Sequence, residues 1–150
     1  MTQYSVVFSE LMEQVFSRLE YFAGKNSSNS SEYFTFTPCK ADIPLFHSLL
    51  LEAAGWIVCN LPTKAASFSL EADTLTFTFF SNAGYDKIAD TTIQTVLQKA
   101  IICKTFHLWL TLTGHPQNTK WEEKALQLSQ LISSKVFMHP RLRCRPLPPL

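Results

Sequence analysis

From Leu45 to Leu61 the apolar residues Leu45, Phe46, Leu49, Leu50, Ala53, Ala54, Trp56, Ile57, Val58 and Leu61 cover most of a helix circumference. Such a helix has no wet face to turn outward, so the rest of the chain must surround it on more than one side. Its limits are written locally. Asp42 stands where an N-cap is expected, Pro44 falls in the first turn, where its missing N–H costs nothing, and Pro62 stops the run.

Three further segments have helical period. Ile93, Val96, Leu97, Ala100, Ile101, Leu108 and Trp109 predict a helix from about Asp90 to Thr113, closed by Gly114 and Pro116. Thr119-Lys120-Trp121-Glu122 has capping-box spacing and opens a helix through Ala125, Leu128, Leu131 and Ile132 to about Val136. Phe8, Leu11, Val15, Leu19 and Phe22 form a narrow stripe that predicts an amphipathic helix over 4–23, ended by Gly24. The following Ser/Asn run is too poor in apolar residues to pack, so 1–32 is expected to be a helix, packed by its one apolar face on the body or on a neighbour, and a flexible loop that separates it from a body spanning 33–138. Tyr33 to Thr37 reads as an extended lead-in to Pro38.

Two runs after Pro62 have period two. Phe68, Leu70 and Ala72 alternate with Ser69 and Glu71, and Leu75, Phe77 and Phe79 alternate with Thr74, Thr76 and Thr78. A β-hairpin near 67–80 with a turn at Asp73 follows. Because two strands alone are marginal in water, the hairpin must lie on the helices or meet another chain, which makes Phe77 and Phe79 candidate partner-binding residues. The end of the chain, 139–150, holds four prolines and three arginines and predicts an extended, basic arm. The expected fold is mainly α: a bundle of about four helices with an inserted β-hairpin and that Pro-rich arm. With 46% hydrophobic residues, the 150-residue chain has enough apolar material for one core.

Chemistry is sparse. The four glycines never fall within a turn of each other, so neither a phosphate-cradling loop nor a glycine-rich nucleophile turn is present. Cys39, Cys59, Cys103 and Cys144 lack C-x-x-C spacing and read as buried thiols. His47 and His107 lie on apolar helices as core or boundary residues, while His115 and His139 precede prolines and read as punctuation. The carboxylate pairs Asp86 with Asp90 and Glu122 with Glu123 sit at helix starts, where acids meet the helix dipole favourably. No cofactor, no metal and no catalysis are expected.

A net charge of +1 gives no global field for nucleic acid or membrane. Five cations and no acid follow Glu123, however. In the arm, Arg141, Arg143 and Arg145 can make bidentate contacts with carboxylates of a partner, while Leu142, Leu147 and Leu150 offer apolar anchors. No run of 18 or more apolar residues and no secretory leader occur, which predicts a protein made in the cytosol.

Taken in order, these features resemble the small head–tail connector (adaptor) proteins of tailed phages, in the form met in phages and prophages of gut Bacteroidetes. The resemblance rests on A-D-I-P-L-F-H-S-L-L-L-E-A-A at 41–54, I-Q-T-V-L-Q-K-A-I-I-C-K-T-F-H-L-W-L around Trp109, and H-P-R-L-R-C-R-P at 139–146. It implies a virion protein assembled in the bacterial cytoplasm as a ring, commonly of twelve copies. The ring would sit at the phage neck between portal and tail or stopper proteins, with DNA contact confined to its lumen. The alternative is a non-catalytic adaptor resembling a secretion chaperone.

Overall fold

The computed structural model describes residues 2–61, 66–80 and 90–137. The chain is mainly helical and carries one small antiparallel sheet. In chain order it runs β1 (Thr2–Val7), α1 (Phe8–Asn26), α2 (Ser30–Phe36), a single 3-10 turn (Lys40–Asp42), α3 (Ile43–Cys59), β2 (Ala66–Glu71), β3 (Thr74–Phe79), α4 (Asp90–Thr113) and α5 (Asn118–Phe137).

The all-round apolar segment is α3, with Phe46, Leu50, Ala53, Ala54 and Ile57 fully buried. The stretch Ser30–Cys59 is long and apolar enough to cross a membrane by length and composition. It comprises α2, the 3-10 turn and α3, and those buried side chains are spent on the chain's own core. Beside α3 runs α4, which touches α1, α2, α3, α5 and β1 and is the hub of the fold. Gly114 ends α4 with φ +77, a conformation that costs glycine nothing, and the His115 N–H closes the turn on the Leu110 carbonyl at 2.8 Å.

The hairpin is present and belongs to a larger sheet, ordered β1-β3-β2. Residues 2–7, of which 4–7 are expected to open the first helix, pair instead with β3, from Thr2 opposite Phe79 to Val7 opposite Thr74. This register puts Tyr4 and Val6 on the same face as Phe77 and Leu75, and all four are buried. The other face is a row of hydroxyls, with Ser5 and Thr76 3.2 Å apart.

Of the two places open to the first helix, the body or a neighbour, it takes the body, so the boundary drawn at 32 does not separate it from the core. Every member of the helical stripe (Phe8, Leu11, Val15, Leu19 and Phe22) is buried in the same core as α3 and α4. The Ser/Asn run and the supposed extended segment are corrected too, because Ser30–Phe36 is helical. Its N-cap is Asn29, whose side chain accepts the Glu32 N–H at 2.9 Å, while the Glu32 carboxylate accepts the Ser28 N–H at 2.7 Å. The short helix is anchored by the Trp109 indole N–H, which donates to the Phe36 carbonyl at 2.8 Å.

Candidate functional site

The candidate partner-binding residues fall in two places. Arg141, Leu142, Arg143, Arg145 and Leu147 lie outside the described residues, as do His139 and Cys144. Phe77 and Phe79 are fully buried in the chain's own core, so their side chains offer nothing to a partner as the chain stands. The sheet face they share is covered by this chain, which removes the reason for assigning them outward. What the hairpin does leave open is an edge. β2 pairs with β3 alone, and no strand lies along its other side among the described residues.

Ionisable groups converge where α4 meets α5. Lys104 is only 5% exposed, and its ammonium lies 3.2 Å from Glu122 Oε1 and 4.4 Å from the centroid of the Trp56 ring. His107, one turn further along α4, donates from Nδ1 to the Asn118 carbonyl at 2.9 Å and brings Nε2 to 3.7 Å from the same Glu122 oxygen. Glu122, which capping-box spacing would direct to its own helix start, is thus used across the α4–α5 contact. The Thr119 N–H is taken by the Asn118 side chain at 2.7 Å. A buried cation flanked by a ring and a carboxylate is an internal strut.

His115 differs from its reading as punctuation. It is buried, its Nδ1 accepts the Gln117 N–H at 3.1 Å, and its ring meets Phe22 and Phe36 edge-on with centroids 5.1 and 4.6 Å away. Burial holds its pKa below the usual histidine value, against a smaller opposing pull from Glu32. The glutamate's own pKa is lowered by its bonds to the Ser28 backbone and hydroxyl.

His47 is exposed, and of the core or boundary place expected of it only the boundary remains, its ring lying against the buried Phe8 at 4.7 Å. Cys39 and Cys59 are exposed rather than buried, and Cys103 is half-buried. Among the described residues no group of three His, Cys, Asp or Glu side chains is close enough to hold a metal ion. Large apolar side chains lie on the surface, led by Phe34, Tyr21 and Leu112 at 75, 65 and 62% exposure. Comparison of the chain with family models, with curated proteins and with solved structures gives no match.

Proposed function

We propose that the chain is a non-catalytic structural subunit that works through contacts with other subunits, in the manner of a phage head–tail connector. The observation that supports this most directly is the outer edge of β2. Six residues, Ala66–Glu71, present backbone donors and acceptors with no strand beside them among the described residues and with no proline or lysine of their own to discourage pairing. Elsewhere on the surface the chain exposes Phe34, Tyr21, Leu112 and Phe80, large side chains of the kind that gain most from being covered at an interface. The arm supplies a second contact in this reading, through Arg141, Arg143 and Arg145 on the carboxylates of a neighbour.

Native mass spectrometry and mass photometry of the full chain test the proposal. A ring of about twelve copies of the 17.0 kDa chain is expected, as in connector assemblies. Removing the residues after Val136 should leave the helical body folded and impair assembly. A chain that remains a 17.0 kDa monomer throughout the micromolar range overturns the ring.

A further inference from the structure

Where α1 crosses α4 and the first turns of α5, the three helices leave a cavity of about 270 Å³. Its floor is aromatic. Phe106 and Trp121 lie 4.6 Å apart, and Phe22 meets Trp121 edge-on at 5.9 Å. Its rim is cationic, because the helical steps of α1 place Arg18 and Lys25 on the same side as Phe22, with Lys25 Nζ 4.9 Å from the Tyr21 ring centroid; Lys124, just outside the lining, sits 4.4 Å from the Trp121 ring centroid. No carboxylate lines this cavity, and no ion pair joins Arg18, Lys25 or Lys124 to an acid among the described residues. Cys103 forms part of the wall. Burial raises its pKa against the pull of Lys124, Arg18 and Lys99, so at neutral pH it is mainly the neutral thiol and alkylates slowly.

Cations around an apolar hollow with no carboxylate between them repel one another, and water over an aromatic floor is readily displaced. One kind of molecule answers both conditions. We infer that this cavity binds a small amphipathic organic carboxylate, its apolar body on Phe22, Phe106 and Trp121 and its carboxylate at Arg18 and Lys25. The chain's own basic arm has the wrong sign of charge to occupy it. A volume just below the range of drug-sized pockets suits a compact ligand better than a length of peptide.

Cys103 gives a local readout in the full-length protein, with the exposed Cys39 and Cys59 as internal controls. Alkylation by iodoacetamide, followed peptide by peptide in a mass spectrometer, is measured against increasing octanoate and against its uncharged analogue octanol. Octanoate is expected to slow Cys103 alkylation by about fivefold or more at saturation while leaving Cys39 and Cys59 unchanged, and octanol to bind at least about tenfold more weakly. The double variant Arg18→Gln with Lys25→Gln alters two exposed side chains, should melt as the parent does, and should lose about tenfold in octanoate affinity. Equal protection by octanol, no protection at millimolar octanoate, or an unchanged affinity in the double variant overturns the assignment. Protection by an oligoglutamate peptide at lower concentration than octanoate also overturns it and moves the site to a protein partner.

Discussion

Lys104 owes its tolerable burial to the groups stationed around it. Its ammonium is held by the Trp56 ring on α3 and by Glu122 on α5, so one side chain ties three helices together. The two partners are not equivalent, because the Glu122 side chain is 45% exposed and can be solvated without Lys104, whereas Lys104 has no such recourse. Glu122→Ala should therefore destabilise by about 1–3 kcal/mol, and Lys104→Met, which keeps an apolar stem against Trp56, by less than about 1 kcal/mol. Urea denaturation of the two variants checks the asymmetry, and equal losses would refute it. His115 supplies a pH dependence. Its folded pKa lies below its unfolded value, so the unfolded chain takes up a proton first as pH falls. The stability from His115 is complete above about pH 6.5, is lost as pH drops below that value, and levels off below the folded pKa. His115→Asn retains an acceptor for the Gln117 N–H without titrating in this range. Its melting temperature should show a shallower fall between pH 7 and pH 5.5 than the parent's.

At the scale of elements, the junction of strand and helix at the N-terminus is made by a residue far away in sequence. α1 begins after Val7, which has no side chain able to cap it. The cap comes from the hairpin turn, where Asp73 accepts the Ser9 N–H at 3.0 Å through its carboxylate and the Phe8 N–H at 2.8 Å through its carbonyl. The Ser9 hydroxyl donates to the same carboxylate. Asp73 reads locally as a turn former and nothing more. Asp73→Ala should cost about 1–2 kcal/mol, the worth of a good N-cap, and Asp73→Asn less, as guanidinium unfolding will measure. The short helix α2 had a signal of its own, Asn29 three residues before Glu32, which the surrounding Ser and Asn residues obscure by making the whole stretch look like loop.

For the whole molecule the decisive fact is that residues 2–26 are core. They bring Tyr4, Val6, Leu11, Val15 and Leu19 into the cluster formed by α3 and α4, and β1 completes the sheet. Deleting residues 1–32 strips one edge strand and one helix from that cluster, exposing buried apolar surface on α3, α4 and β3. The truncated chain is expected to lose cooperative thermal unfolding by circular dichroism and to bind a hydrophobic dye. A sharp transition close to the parent's would show that the remainder folds alone.

The sequence by itself determined α3, α4, α5 and the hairpin to within a few residues. Their causes are local: apolar period, Pro44 inside one helix start, Gly114 after one helix end, and alternating threonines in β3. Thr2–Val7 alternates as well, with Tyr4 and Val6 on one side and Gln3 and Ser5 on the other, but a run of six also suits the first turn of the helix that follows it. Only the tertiary structure decided between them, because a strand needs a partner edge and that edge, β3, lies about seventy residues away. The same reason governs Phe77 and Phe79. Period two states that one face of a strand is apolar, and what covers that face, here the chain's own helices and not a neighbour, is a property of long-range packing that no local pattern contains.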